Sequence, residues 1–243
     1  MRIIQITDLH IYPEDKIING VDTRRNFLKV LEKVAAIHHD MLVLTGDLSF
    51  VDGDSEVYKW IKEKLDNFKL KDYYVIGGNH DVAEKLAEVF DLTQFLKDNE
   101  LYYFIEPNFI FLDTVKGYCS EKQLNWLETT ITSIENEKPV IFMHHPPYKS
   151  GVPHMDNKYA FEQPGLFTEI CNKNTNTTFV FCGHYHNEIS LMKNNVNVFI
   201  TPSTYLQIYM LKEDFEVDHR IPAFRIIDID NKLIKTTVRY VYD

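Results

Sequence analysis

Short apolar runs, each closed by a glycine or by a polar residue of metal-ligand type, set the rhythm of this chain. Residues 2–6 (RIIQI), 41–44 (MLVL), 73–76 (YYVI), 140–143 (VIFM) and 178–182 (TFVFC) are too short for helices and rich in β-branched and aromatic side chains. Each predicts a buried strand. Between most of them the period becomes helical. Phe27, Val30, Leu31, Val34 and Ile37 predict a helix that Thr23 can cap, with Arg24 and Arg25 on its solvated face. Val57, Trp60, Ile61 and Leu65 predict a second helix over 56–67, and Ser120 with Gln123 forms a capping-box signature ahead of Leu124, Leu127, Ile131 and Ile134. Further strands are expected at 102–105 and 109–112, around a turn at Glu106-Pro107-Asn108. After His186 the alternation turns to period two, predicting strands near 196–200, 223–229 and 234–241 with Asn194-Asn195 as a turn. Two sheets packed together with helices outside, an α/β (α+β) four-layer sandwich, satisfy this pattern. No repeat or low-complexity linker divides it, so one domain over residues 1–243 is expected.

The polar residues that close the runs fall in one order: Asp8 and His10, Gly46-Asp47, Gly78-Asn79-His80-Asp81, His144, and Gly183-His184-Tyr185-His186. In a sheet of mainly parallel strands the carboxyl ends share one edge, where ligands bind in α/β folds. Residues distant in sequence therefore converge there. A carboxylate can bridge two cations, imidazoles supply neutral nitrogen donors, and an amide oxygen occupies a position without adding charge. Such a mixed nitrogen and oxygen set, lacking thiolate, suits Mn²⁺, Fe²⁺/Fe³⁺ or Zn²⁺ more than Ca²⁺ or Mg²⁺ without deciding among the three; two metal ions, iron or manganese with zinc as the alternative, are the expectation. Glycines 46, 77, 78 and 183 are expected to let the backbone turn so that the next side chain points into the site. A lone Asp-x-His is more often a turn and a surface histidine; five blocks in order, all at strand ends, outweigh that reading.

Composition narrows the substrate. The 243 residues are 44% apolar and can bury a substantial core. A formal net charge of −10 argues against a footprint on nucleic acid, and bound cations would reverse the sign locally, so a small phosphate ester fits better than a polynucleotide. Cys119, Cys171 and Cys182 form no Cys-x-x-Cys pair and read as small core or surface residues in a reducing compartment. No apolar run approaches the roughly 20 residues needed to span a bilayer, and the chain starts directly in a strand pattern. A soluble, cytoplasmic protein is the expectation.

The ordered blocks resemble the calcineurin-like metallophosphoesterase family, whose Asp-x-His, Gly-Asp, Gly-Asn-His-Asp/Glu, downstream His and Gly-His-x-His pattern is complete here. The resemblance implies a β-sandwich flanked by helices with two metals at the strand carboxyl ends. By carry-over, Asp8, His10, Asp47 and His186 hold one metal; Asp47, Asn79, His144 and His184 hold the other, with Asp47 bridging. His10, Asp47, Asn79, His80 and His186 would meet the substrate, and His80 would be the catalytic acid or hydrogen-bond donor. A water held between cations about 3.5 to 4 Å apart would attack phosphorus in line. Asp81 could orient the His80 ring or cap the following helix.

Residues 111–114 (FLDT), 120–127 (SEKQLNWL), 144–147 (HHPP), Met155-Asp156, 201–204 (TPST) with Gln207, Asp214-Phe215 and 222–225 (PAFR) extend the likeness. They are similar to the class III cyclic-nucleotide phosphodiesterases that cleave 3′,5′-cyclic AMP. Glycerophosphodiesterases of the same family share several of these segments. His154 departs from that branch, which often carries an aromatic residue before Met155. It lies in a 151–160 loop that could cover the site, and His145 could support the ligands beside it. His38 and His39 read as a helix end and His219 as part of a charged loop, without site roles. The abundant Tyr and Phe read as core rather than as a base-stacking platform. Competing readings are a phosphodiesterase or phosphatase on another small ester, such as a glycerophosphodiester, and a metal-binding scaffold without activity. Exposed C-terminal strands could pair in a homodimer.

Overall fold

The computed structural model describes residues 1–14, 16–230 and 233–242. From the N-terminus, β1 (Arg2–Ile6) passes through a small hairpin, β2 (Ile17–Ile18) and β3 (Val21–Asp22), into α1 (Thr23–Ala35). There follow β4 (Met41–Thr45), α2 (Ser55–Asn67), β5 (Tyr73–Ile76) and α3 (Ala83–Val89). A short hairpin, β6 (Leu96–Lys97) with β7 (Glu100–Leu101), leads to β8 (Tyr103–Ile105), β9 (Phe109–Phe111) and α4 (Glu121–Ser133). The chain continues as β10 (Val140–Phe142), α5 (Pro153–Lys158), α6 (Pro164–Cys171), β11 (Thr178–Cys182), β12 (Ile189–Lys193) and β13 (Val196–Ile200). It closes with β14 (Gln207–Ile208), β15 (Val217–His219), β16 (Ala223–Asp230) and β17 (Leu233–Tyr240).

Two mixed sheets carry the fold. One has the order β17-β16-β1-β4-β5, the other β12-β13-β11-β10-β9-β8. β1, β4 and β5 run parallel, as do β9, β10, β11 and β13, and antiparallel strands close both sheets. Within the second sheet alternate residues serve different cores. Phe109, Phe111, Val140, Phe142, Phe179 and Phe181 pack between the sheets, while Ile110, Ile141, Val180 and Cys182 face α4 and α6. Rings at Tyr103, Phe111, Phe142, Phe181 and Phe199 follow one another across the strands at 4.5, 5.2, 5.7 and 5.3 Å. Most of the aromatic content is therefore core, as expected from the sequence. Phe27, Val30, Leu31 and Val34 of α1 and Val57, Ile61 and Leu65 of α2 cover the first sheet, each worth about 1.5–3 kcal/mol of burial. The result is the helix, sheet, sheet, helix layering that the pattern predicts. Among the described residues no helix is long and apolar enough to cross a membrane.

Several local expectations change. Asp22, not Thr23, caps α1 by accepting from Arg25 N at 2.9 Å, and Asp54 caps α2. Arg24 lies over the Trp60 ring at 4.7 Å instead of on an open face, because its stem gains apolar cover there. The capping box before α4 is half made. Ser120 Oγ accepts from Gln123 N, but the Gln123 amide turns to the Asp113 backbone, accepting from its N–H at 2.8 Å and donating to its O at 2.9 Å. His219 sits on β15 with its ring against Tyr240, not in a loop, and His38 and His39 lie beyond the end of α1. All three cysteines are buried and free.

Asp113 makes the fold sensitive to pH. Its carboxylate accepts from Leu101 N at 2.8 Å and Val115 N at 2.9 Å, yet burial pushes its pKa up to about 6. A carboxyl raised in the folded state contributes stability that is fully present below the ordinary carboxylate range and is lost as pH rises through the folded value. Relative to the parent, Asp113→Asn should therefore gain stability between about pH 4 and 6.5, read as the difference in urea midpoint across that range. A difference independent of pH would contradict this.

Candidate metal centre

The five ligand blocks divide between the sheets: Asp8, His10, Asp47 and Asn79-His80 leave β1, β4 and β5, while His144, His184 and His186 leave β10 and β11. Hydrogen bonds fasten the two edges. His184 N donates to Asp8 Oδ2 at 3.0 Å and Gln5 Nε2 to Cys182 O at 3.2 Å, while Gly183 N to His144 O at 3.1 Å joins the ends of β10 and β11 within the second sheet. After β1, β4 and β11 the backbone then enters the left-handed region. Asp8, His10, Asp47, His184 and His186 have φ of 52°, 46°, 50°, 68° and 51°. Non-glycine residues in this left-handed region cost of order 1–3 kcal/mol each, and asparagine, aspartate and histidine tolerate it best. Five such residues in one site are backbone held against its preference to aim side chains inward. Nothing in the hydrophobic periodicity announces this.

The donor atoms converge. His186 Nε2 lies 3.1 Å from His10 Nε2 and 3.3 Å from Asp8 Oδ1; Asp47 Oδ2 lies 3.5 Å from His10 Nε2 and 3.3 Å from His144 Nε2. Asp8, His10 and His186 form one group of donors and Asp47, His144 and His184 a second; His80 joins His10 and Asp47 in a third. Backbone carbonyls set the ring orientation, since Nδ1 of His144 faces Thr45 O at 2.8 Å and Nδ1 of His186 faces Leu206 O at 2.9 Å. With Nδ1–H donating, Nε2 of each carries the lone pair. Nε2 of His184 faces Tyr159 O at 3.0 Å, which leaves Nδ1 as its lone-pair nitrogen.

These residues fit a pair of cations. Two donors each about 2.1 Å from one ion stand roughly 3.0–3.4 Å apart at octahedral or tetrahedral angles, the spacing found between several of these atoms. His144 Nε2 is buried without a hydrogen-bond partner among the described residues. Burial drives His10 and His184 down to about 3, keeping them neutral as ligands must be. Burial also disfavours charge on His144, but Asp47 and then Asp8 outweigh it and raise the ring to about 9. The carboxylates that draw a proton there would equally draw a cation. Burial works against ionised Asp8 and Asp47 as well, and the surrounding histidines overcome it, holding Asp8 below the usual carboxylate range and Asp47 well below it.

Of the four glycines expected to turn the chain, only Gly46 has left-handed backbone, with φ of 94°. Gly78 and Gly183 serve close approach instead. A Cβ at Gly78 would stand 2.2 Å from Asp47 Oδ1, and one at Gly183 would stand 2.4 Å from Asp8 Oδ2. Gly78→Ala should therefore displace Asp47, costing about 1–3 kcal/mol by overpacking, a fall of about 2–4 °C in melting temperature per kcal/mol at this size. Metal affinity should fall with it. An unchanged melting curve and metal affinity would refute the close-approach reading.

The remaining candidates divide. His80 is half-buried, with its ring 5.1 Å from that of His10, and its backbone N–H donates to Asp47 Oδ1 at 3.0 Å. Asn79 is exposed on the rim of the cleft beside it. Asp81 neither orients the His80 ring nor caps α3, whose N-cap is Val82. Its carboxylate accepts from Leu48 N, Ser49 N, Gly78 N and Tyr58 Oη at 3.1, 3.1, 2.9 and 2.8 Å, tying together the loops after β4 and β5. His145 packs 4.1 Å from the His184 ring and is bonded to Thr114 Oγ1 through both N and Nδ1. The 151–160 segment contains α5, and its Asp156 accepts from Ser150 N, Gly151 N and Tyr185 Oη. His154 does line the cleft, with Nδ1 at 3.0 Å from Glu213 O.

That cleft, about 440 Å³, has His10, Asp47, His184 and His186 at its floor. Its walls are Phe50, Tyr159, Tyr205, Met155, Ile208 and Phe215, with Asn19 at one side. Met155, Tyr159 and Phe215 fall in segments that the sequence pointed to, whereas Asn19, Phe50, Tyr205 and Ile208 were not singled out, because they come from loops and a hairpin whose neighbours in space are distant in the chain. One local signal existed: Asn19-Gly20, a turn dipeptide next to two isoleucines.

Two packed mixed sheets with helices outside and a buried cluster of carboxylates and imidazoles at their common edge define the architecture of a metallohydrolase. Residues 1–188 match the family model described as calcineurin-like phosphoesterase, and the chain belongs to that family. It is similar to a Fibrobacter succinogenes protein named "Probable cyclic nucleotide phosphodiesterase", with 31% identity over 99% of this chain and 94% of the relative. It is 26% identical to the 3′,5′-cyclic adenosine monophosphate phosphodiesterase CpdA of Escherichia coli, over 94% and 85%. It is 29% identical to an Arcobacter nitrofigilis protein named "Probable glycerophosphodiester phosphodiesterase GpdQ", over 90% and 84%. Among solved structures, a dimetal phosphatase from Danio rerio shares the fold, with a TM-score of 0.68 at 13% identity over 99% of this chain and 98% of that one.

Proposed function

We propose that this protein is a dinuclear metal-dependent phosphodiesterase that hydrolyses 3′,5′-cyclic AMP to 5′-AMP. The observation that carries the reading is the cleft itself, with a donor cluster at its floor and aromatic and apolar walls above, of a size suited to one small ligand. The likeness to named cyclic-nucleotide phosphodiesterases over nearly the whole chain supports it. Asp8, His10, Asp47 and His186 would hold one ion and Asp47, Asn79, His144 and His184 the other, manganese or iron suiting these donors. When bound, the pair supplies a nucleophile from water at neutral pH and neutralises charge on the phosphoryl oxygens. His80, at the cleft wall beside His10, donates a proton or hydrogen bond to the leaving oxygen, and Asn79 reaches the phosphoryl group from the rim. The walls exclude water from one face of the ester, which strengthens each of these interactions.

A glycerophosphodiester is the second reading, favoured by the Arcobacter relative. Its short arms would leave the aromatic wall uncovered. Steady-state kinetics on 3′,5′-cyclic AMP, glycerophosphodiesters and p-nitrophenyl phosphate separate the two. The cyclic nucleotide should give the highest kcat/KM; a glycerophosphodiester turned over far faster would replace the substrate and keep the site.

A further inference from the structure

The tip of the β2–β3 hairpin is built to hold one side chain still. Ile18 pairs with Val21, and Asn19 and Gly20 between them have φ of 51° and 76°, the left-handed pair of a type I′ turn. Arg220 Nε donates to Asn19 O at 2.6 Å and clamps the tip against the segment before β16. The Asn19 side chain lines the cleft beside Tyr205. Tyr205 Oη lies 3.4 Å from Ile18 O and 2.8 Å from Asn19 Nδ2. A carbonyl can only accept, so the hydroxyl donates to Ile18 and accepts from Asn19. This fixes which way the amide faces: its nitrogen is committed to Tyr205, and among the described residues its oxygen accepts no hydrogen bond.

The hairpin tip lies one tyrosine from the ligand cluster, because the Tyr205 ring stands 5.3 Å from that of His10. The ribose and base of a nucleotide span a comparable length. We infer that Asn19 reads the base of the cyclic nucleotide, its Oδ1 accepting from an exocyclic amino group. Adenine and cytosine present such a donor where guanine and thymine present a carbonyl oxygen. Opposed acceptors repel, and turning the amide over to suit guanine would oblige the Tyr205 hydroxyl to donate to Oδ1 and give up Ile18 O. The hydroxyl of Tyr205 is thus a positioning group acting through Asn19. This assignment rests on the cyclic-nucleotide reading above and adds to it a residue that selects the base.

The test compares kcat/KM for 3′,5′-cyclic AMP and 3′,5′-cyclic GMP, with base-free bis(p-nitrophenyl) phosphate as reference, in the parent, Asn19→Ala and Tyr205→Phe. The parent should prefer cyclic AMP. Asn19→Ala should lower that preference about 2- to 10-fold, the scale of one neutral hydrogen bond, chiefly by raising KM for cyclic AMP. Tyr205→Phe keeps the ring and frees the amide, so it should raise cyclic GMP turnover relative to cyclic AMP. Parent selectivity in both variants overturns the inference while leaving the activity in place. A parent that cleaves only the base-free diester overturns the cyclic-nucleotide reading and this inference with it.

Discussion

Asp47→Ala should abolish turnover and strip the protein of both metal ions. The Asp47 carboxylate lies between the two principal donor groups, 3.5 Å from His10 Nε2 on one side and 3.3 Å from His144 Nε2 on the other, closer to His144 than Asp8 Oδ1 at 3.9 Å. It also accepts the His80 backbone N–H. Its loss would leave His10 and His144 facing one another across a buried gap with less negative charge to hold cations together. Metal catalysis supplies several kcal/mol of charge stabilisation, so kcat/KM should fall by at least about 10³-fold. Asp47→Asn keeps the shape and removes the charge, and should lose metal nearly as completely. Metal content by atomic emission beside diesterase activity reads both effects. A variant that retains two ions per chain and full activity would refute the bridging role.

His80→Ala should behave in the opposite way, keeping metal and losing rate. Its backbone N–H, which holds Asp47 Oδ1, survives the substitution, so the ligand geometry should persist. What disappears is the imidazole at the cleft wall. Loss of a positioned proton donor typically costs about 10²–10⁴ in rate, and the fall should appear in kcat. The deficit should be smaller for a diester with a nitrophenolate leaving group, which needs little protonation. Equal deficits on both substrates, or full activity, would count against His80 as the donor to the leaving oxygen.

The convergence of the donor blocks was legible in the sequence because strand ends place them. An apolar run that stops at Asp or His marks both the element and the direction of its last residues, so Asp8, His10, Asp47, His144, His184 and His186 could be gathered before any coordinates. Their division between two sheets could not, since strand partners are set by contacts such as Gln5 with Cys182 O. Nor could the left-handed backbone at five of them, which depends on bonds across the sheets. Asp81 shows the limit of local reasoning. Next to His80 it reads as a partner of that ring, yet the fold turns it to Leu48, Ser49 and Tyr58, residues over twenty positions away. Asn19, Phe50 and Tyr205 of the cleft wall were hidden for the same reason, because they become neighbours only when the loops close over the site.

Central to the proposed function is that this cluster binds two cations and with them hydrolyses cyclic AMP. The direct test is to strip the protein with chelator, titrate it with Mn²⁺ or Fe²⁺, and follow conversion of 3′,5′-cyclic AMP to 5′-AMP against bound metal. The prediction is no turnover without metal and a rate that saturates at two ions per chain. Turnover that is indifferent to chelation, or a protein carrying two ions that leaves cyclic AMP intact, would contradict it.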